Sequence, residues 1–295
     1  MEKAIHSGRS KASALGKKGA GRSAYVMKPE SLALVENFRL MDDTFMSKCL
    51  ENAPECIELI LRVIIGKKDL KVIKSQTEYP IKSLQGRGVR FDVFARDSKG
   101  REYDIEIQRA DKGAEPKRAR YNSALMDANA LKSGEDFGKL RDTYVIIITE
   151  NDVMGRGQGV YVFDRMDKKC GLDFGDGAHV VYANGMWRGD DALGRLMCDF
   201  NCRDANKMHY DVLKKRVSQL KNSEEGRRIM CKAVEEFAER RAVEAKAEGK
   251  REGERKTMLA TAKRMLESGM LALKDIAKFS GLSLVQVKKL QAEMA

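Results

Sequence analysis

Hydrophobic and polar positions alternate along two runs, 89–96 and 101–108, which flank the turn Asp97-Ser98-Lys99-Gly100. Alternation with a period of two, together with β-branched and aromatic residues, predicts two strands. The loop Ser98-Lys99-Gly100 fits a three-residue hairpin turn with Gly100 in the left-handed region. The pattern therefore predicts a β-hairpin with one apolar face and one face that carries carboxylates.

The turn also predicts the register of the hairpin. A three-residue loop pairs Asp97 with Arg101, and the remaining pairs follow by counting back along both strands. The predicted opposed pairs are Arg96 with Glu102, Asp92 with Glu106, and Arg90 with Gln108.

One of these pairs brings two acids together. Like charges directly opposite each other on a sheet destabilise the pairing, and Asp104 lies on the same face as Asp92 and Glu106. The acids need either protonation or a cation, and a divalent metal ion takes oxygen ligands of this kind. The competing interpretation is an ordinary solvated strand face, on which acids are common.

The segments around the hairpin predict alternating helices and strands. A helix over 44–65 is capped by Asp42 or Asp43, and a strand follows over 70–77. A second helix opens at Glu115-Pro116, and 143–150 is a short apolar strand of the kind buried on both faces. The inward residues expected on the second helix are Ala119, Ala124, Leu125, Ala128 and Leu131. The order helix, three strands, helix, strand predicts an α/β domain with a mixed sheet covered by helices.

Beyond this core, the chain is expected to add strands over 159–164 and 179–182 and to become helical from Ala192. The stretch 231–264 is rich in charges and is predicted to be a long helix, broken locally by Gly249 and Gly253.

The last two predicted helices, 273–280 and 284–293, are separated by a short turn. Gly281 suits a helix C-cap and Ser283 an N-cap. Ala277, Gly281 and Val287 match the spacing of a helix-turn-helix, although a helical hairpin packed on a neighbour explains the same residues.

Composition indicates a class of partner without changing the predicted fold. The chain has 56 Lys or Arg against 44 Asp or Glu, a formal net charge of +12 among 295 residues. A basic excess of this size favours a polyanion such as nucleic acid or an acidic membrane surface. The apolar runs are too short to span a bilayer, and the scattered cysteines favour reduced thiols and a cytoplasmic location.

Four regions are predicted along the chain. Residues 1–28 form a disordered basic tail, because they have little apolar surface to bury. Residues 29–190 form the α/β core with its added strands, 191–268 a helical extension with the long charged helix, and 269–295 the helix-turn-helix-like hairpin. A homo-oligomer formed through the C-terminal helices is a further expectation.

These elements resemble the PD-(D/E)XK nuclease superfamily, and within it the recombination-promoting nuclease and putative transposase family of bacteria. The resemblance covers roughly 41–241. It rests on Asp42-Asp43-Thr44-Phe45, Arg90-Phe91-Asp92-Val93, Gly100-Arg101, Ile105-Glu106-Ile107-Gln108, Arg118-Ala119-Arg120-Tyr121 and Gly134-Glu135-Asp136-Phe137. It implies a restriction-endonuclease-like αβββαβ core with the active site on the second and third strands.

The resemblance also implies roles for individual residues. Asp92, Glu106 and the carbonyl of Ile107 would hold Mg²⁺ or another divalent cation, and Asp42 is a possible additional acid. Gln108 stands where the superfamily name has lysine, and would join Asp92 and Glu106 in catalysis. The residues expected to contact phosphate or DNA are Arg90, Arg118, Arg120 and Tyr121; a second tyrosine frequent in the family is Asn122 here.

Two functions from different classes follow as expectations. The first is a Mg²⁺-dependent DNA endonuclease that hydrolyses phosphodiester bonds, linked to recombination or mobile elements. The alternative is a non-catalytic DNA-binding protein with a silent nuclease site, which would bind through the basic tail and the terminal helix-turn-helix.

Overall fold

The molecule is built around a six-stranded sheet, seen in a computed structural model that describes residues 25–83 and 86–294. The strands are β1 (Val72–Ile81), β2 (Val89–Asp97), β3 (Glu102–Gln108), β4 (Thr143–Thr149), β5 (Val160–Phe163) and β6 (Ala178–Asn184). They lie in the order β1-β2-β3-β4-β6-β5. The first three strands and the β5–β6 pair are antiparallel, whereas β3, β4 and β6 run parallel. The predicted mixed α/β sheet is confirmed.

Helices cover both faces of this sheet. They are α1 (Pro29–Asn37), α2 (Asp43–Leu50), α3 (Pro54–Ile65), α4 (Pro116–Ala130), α5 (Ala192–Asn201), α6 (Asp211–Asn222), α7 (Glu224–Ser268), α8 (Leu273–Ser280) and α9 (Leu284–Met294). One face packs against α2, α3, α5, α6 and the start of α7 in a single buried cluster. The other face packs against α4 in a second cluster. The result is the helix–sheet–helix layering of a restriction-endonuclease-like fold.

The hairpin has the predicted register at its turn. Arg96 pairs with Glu102, and the ladder continues as far as Val93 opposite Ile105. The residues of β3 are buried from Glu102 to Ile107, because helices cover both faces of the strand. The strand that carries Glu106 is therefore central in the fold.

The predicted single helix over 44–65 is wrong. It is divided into α2 and α3, because Pro54 has no N–H to donate and its ring would clash with the preceding turn. Asn52 reverses the chain between them with φ of 54°, a conformation that asparagine tolerates better than most residues.

The face that α4 turns inward also differs from the prediction. Ala124 and Ala128 are exposed, and Asn122 and Ser123 are buried in their place. The pattern of apolar residues did not predict this face, because the polar Asn122 is buried. Its amide donates a hydrogen bond to the carboxyl group of Asp104 on β3.

The long charged helix is unbroken. α7 continues through Gly249 and Gly253, although glycine in a helix costs about 1 kcal/mol relative to alanine. Ion pairs one turn apart, Lys250–Glu254 and Lys256–Glu252, both span Gly253 and offset part of that cost.

Most of the predicted N-terminal tail lies outside the described residues. Tyr25 and Met27 are described, and both pack against the larger core cluster. Within the described residues no helix combines the length and the apolar character needed to cross a bilayer.

The hairpin turn is held by Asp97, which is fully buried. Its carboxylate accepts hydrogen bonds from the N–H groups of Lys99 and Arg101, from the Arg101 side chain and from the Tyr103 hydroxyl. Burial alone would raise the pKa of Asp97, but the hydrogen bonds from Arg101 and Tyr103 outweigh it and lower the pKa below its ordinary value of 3.8.

We expect Asp97→Asn to lower the free energy of unfolding by about 1–3 kcal/mol at pH 7. A carboxyl whose pKa is depressed in the folded state adds stability above its ordinary pKa and loses it as the pH falls toward the folded value. The difference between wild type and variant should therefore shrink below about pH 4 in urea titrations. The exposed control Asp190→Asn should change little; an Asp97→Asn deficit that is equal at pH 3 and pH 7 would contradict this account.

Candidate active site

Strands β2 and β3 separate at the position where the opposed acids were predicted. In a continued ladder Ile107 would pair with Phe91, but its N–H instead donates to Oδ2 of Asp92 at 3.0 Å. The Asp92 carboxylate thus replaces a backbone acceptor, and Oε1 of Glu106 lies 3.4 Å from the Asp92 nitrogen. The two acids are brought together where the hairpin opens.

Asp92 and Glu106 repel each other when both are ionised. Burial, and then repulsion from Glu106, raise the pKa of Asp92 well above its ordinary value of 3.8, and Asp43 adds to the repulsion. Burial also raises the pKa of Glu106, while the nearby Arg118 lowers it. A bound cation would favour the ionised form of both acids.

A third acid, Asp104, lies behind the first two and is fully buried. Its Oδ2 accepts a hydrogen bond of 2.8 Å from the amide of Asn122 on α4. Burial and the charge of Glu106 raise the pKa of Asp104 well above its usual range, which favours the protonated acid. In that form Asp104 can donate a hydrogen bond to Glu106 and hold its side chain in place.

Arg118 of α4 supplies the positive charge closest to the acids. Its guanidinium is 2.5 Å from Oε2 of Glu106, whose side chain is only 1% exposed. The Arg118 side chain itself is 42% exposed and enters from the rim. It pairs with one oxygen of one acid.

Gln108 ends β3 beside the acids, and its amide nitrogen lies 3.4 Å from Oε2 of Glu106. On its other side the chain passes close by at Gly113. A Cβ atom at Gly113 would lie 1.9 Å from Oε1 of Gln108, so any residue other than glycine at this position would displace the Gln108 side chain.

Asp92, Gln108 and Arg118 border an open cavity of about 900 Å³, whereas Glu106 and Asp104 are buried and do not line it. Its lining includes Asp92, Ile107 and Gln108, and a rim of basic side chains: Arg87, Arg90, Lys112, Lys117 and Arg118. Tyr121 also lines it and donates to the carbonyl of Arg87, which ties α4 to the segment before β2. Arg120 is exposed on α4 and is not among the described residues that line the cavity. A basic rim above acids suits an anionic substrate held by divalent cations.

The part of the sequence that forms this site matches a known protein family. Residues 51–184 match the model of the PD-(D/E)XK nuclease family transposase. That segment belongs to the PD-(D/E)XK superfamily. It contains the hairpin and α4, with Asp92 and Glu106, and members of the superfamily are generally nucleases that use divalent metal ions on DNA. Searches among curated proteins and among solved structures gave no match.

Two acids at the start of α2 lie outside the matched PD-(D/E)XK segment and face different ways. Asp42, the expected additional acid, accepts hydrogen bonds from the Arg39 N–H and from Arg109. Asp43 lies on the cavity wall. The sequence offered Asp42 as an additional candidate or as a helix cap; its carboxylate is already bound by two donors, so the geometry favours Asp43 as the acid that faces the cavity.

Glu78 of β1 is a further residue that the sequence did not indicate. It adopts φ of 49° at the point where the β1–β2 ladder skips the position opposite Asp92. Left-handed backbone in a residue other than glycine costs of the order of 1–3 kcal/mol and often marks functional sites. Glu78 pairs with Arg90 at 3.7 Å and with Arg240 of α7 at 3.3 Å. No local pattern could link Glu78 to Arg240, because 162 positions separate them.

The residues fit a divalent metal, with two carboxylates and one carbonyl as candidate ligands. Glu102 and Gln108 use their backbone groups toward β4, so alternation directs those of Ile107 toward β2 and Asp92. Among residues 25–83 and 86–294, no group of three or more His, Cys, Asp or Glu side chains is arranged to hold a metal ion. Mg²⁺ commonly uses only one or two protein carboxylates and takes its other ligands from water and phosphate.

We expect Arg118→Met to destabilise the protein by about 1–3 kcal/mol, because it leaves a buried acid without its cation. Arg120→Met, on the same helix, is the matched control, since Arg120 is exposed. Chemical denaturation at pH 7 in the absence of divalent ions measures both. Equal midpoints for the two variants would show that the Arg118–Glu106 pair contributes nothing to stability.

Proposed function

We propose that this protein is a metal-dependent DNA endonuclease that hydrolyses phosphodiester bonds with Mg²⁺ or another divalent cation. The observation that carries the proposal is the meeting of two acids that repel each other: Asp92, which lines an open cavity with a basic rim, and the buried Glu106 beside it. Membership of residues 51–184 in a nuclease superfamily supports the same chemistry.

Asp92, Glu106 and the Ile107 carbonyl would hold the cation. When bound, it would acidify a water molecule and neutralise charge that develops on the phosphate. The surrounding residues would hold these oxygen atoms in position. The Ile107 N–H does so for Asp92 by donating a hydrogen bond to its carboxylate. Asp43 is the acid we propose as an additional contact, in place of Asp42.

Gln108 would orient the attacking water. An amide offers both donors and an acceptor but no charge, unlike the lysine of the superfamily name. The position of the side chain supports this role, since it lies between Glu106 and Gly113 at the cavity wall.

Arg118 would bind the scissile phosphate. In the protein alone it rests on Glu106, and its exposed position lets the guanidinium turn toward a substrate in the cavity. Arginine suits phosphate because its planar fork can donate two parallel hydrogen bonds. Arg90 and Tyr121 would contact the backbone at the rim, and Arg120 would do so further along α4.

The link to recombination or mobile elements rests on the transposase family to which the segment belongs. The groups around the cavity are those that hydrolysis needs, so cleavage is the step we assign to this site.

The alternative function is DNA binding with a silent nuclease site. The specific observation in its favour is the short Arg118–Glu106 ion pair. If Arg118 stayed on Glu106 when DNA is bound, its charge would take the place of the metal cation. Against it, the arginine reaches one oxygen of Glu106, and the pKa of Asp92 stays raised by burial and by repulsion from Glu106.

A plasmid nicking assay separates these two functions. We expect wild type to nick supercoiled DNA with Mg²⁺, and Asp92→Ala to lose at least about 100-fold in rate, because the cation loses a ligand. Asp190→Ala is the matched control, since Asp190 is fully exposed and remote from the cavity lining.

Thermal unfolding with and without Ca²⁺ shows whether the loss reflects the metal site. Ca²⁺ takes carboxylate ligands, so it should raise the melting temperature of wild type and of Asp190→Ala but not of Asp92→Ala. Nicking that survives Asp92→Ala would end the catalytic assignment and favour the alternative.

Gly113→Ala tests the position of Gln108. The added methyl group would collide with Oε1 of Gln108, the flexible end of that side chain, so the fold should persist while nicking falls by about tenfold or more. Gly249→Ala is the control, because a Cβ there meets nothing within 4 Å. Full nicking activity in Gly113→Ala would show that displacement of the Gln108 side chain does not affect catalysis.

A further inference from the structure

The chain ends in a small unit with its own hydrophobic core. The end of α7 packs with α8 and α9, and the buried residues are Ala262, Ile276, Leu282, Val287 and Leu290. Within the described chain this cluster shares no buried residue with the two clusters of the sheet. The terminal unit is therefore a separate module as far as packing is concerned.

A helical rod joins this module to the nuclease core. Residues 238–258 of α7 are exposed on every side, and they carry alternating charges with ion pairs one turn apart. A helix that is polar all round is typical of a bridge between domains. At 1.5 Å per residue the rod spans on the order of 30 Å.

The connection between α8 and α9 has the features of a helix-turn-helix. Gly281 takes φ of 76° and its N–H donates to the carbonyl of Ala277, which ends α8. Ser283 and Gln286 then form reciprocal hydrogen bonds between side chain and backbone at the start of α9. Such a capping box fixes the direction in which a helix begins. The turn thus holds α9 at a set angle to α8.

The outer face of α9 carries the side chains that a DNA groove accepts. Lys288 and Lys289 are exposed, and Val285 is 77% exposed at the first turn. Over 259–294 the chain has six Lys or Arg against three Asp or Glu. Lysine binds phosphates and guanine edges, and an apolar side chain can contact the methyl group of thymine.

We propose that α9 is a recognition helix that binds the major groove of duplex DNA, with Lys288 and Lys289 on the backbone or base edges and Val285 toward the bases. This binding does not depend on the nuclease activity. It gives the chain a second DNA contact, held away from the cavity by the rod of α7.

The test uses the full chain with Asp92→Ala, so that the DNA stays intact. Fluorescence anisotropy with a duplex of about three helical turns is measured over a series of salt concentrations. Adding Lys288→Ala and Lys289→Ala should weaken binding by about tenfold or more and make the slope of log affinity against log salt shallower by about two. The matched control adds Lys250→Ala and Lys256→Ala on the rod, with the same change in charge and a much smaller expected effect.

Val285→Asp is a second variant at the same surface. It places a negative charge where we propose the bases to lie, so it should weaken binding without disturbing the buried core. Circular dichroism checks that both α9 variants keep their helices. Equal losses for the α9 and rod variants would overturn the proposal, as would a change in sedimentation with unchanged DNA affinity, which would make this face a contact between two copies of the chain.

Discussion

Two carboxylates that repel each other have to be kept side by side, and the structure around β3 is arranged to do this. The ladder between β2 and β3 opens at Ile107, whose N–H holds Asp92 instead of a backbone carbonyl. Helix α4 contributes Arg118 to Glu106 and Asn122 to Asp104. The Ile107 N–H favours the ionised form of Asp92, and Arg118 favours that of Glu106, which is the condition a cation site needs.

The sequence predicted what depends on neighbouring residues. The turn at Asp97 and Gly100 determines the hairpin register, and the register determines which acids lie near each other. The apolar strand β4 and the caps around Gly281 follow from equally local signals. For these elements, propensity and tertiary structure agree.

The sequence failed where a contact between distant segments decides the outcome. Asn122 is polar and was not among the inward residues expected on α4, yet its amide binds a buried acid of β3. Asp42 and Asp43 are adjacent, and the sequence does not show which of them faces the cavity. The structure shows that the Asp42 carboxylate is paired with Arg109. Glu78 has its left-handed backbone beside Asp92 and its partner on α7, so no periodicity could indicate it.

Helix α7 connects the parts of the molecule that we assign to DNA. It starts in the main core at Met230 and Cys231, passes Glu78 at Arg240, and ends in the terminal module at Ala262. Because one continuous helix contains all three places, the cavity and α9 cannot approach each other unless the helix bends or unwinds. Gly249 and Gly253 are the positions where bending costs least, since both lie in the exposed rod and neither has a side chain to pack. The spacing of the two proposed DNA contacts is therefore set by the length of α7, and the ion pairs that span Gly253 stiffen the helix there.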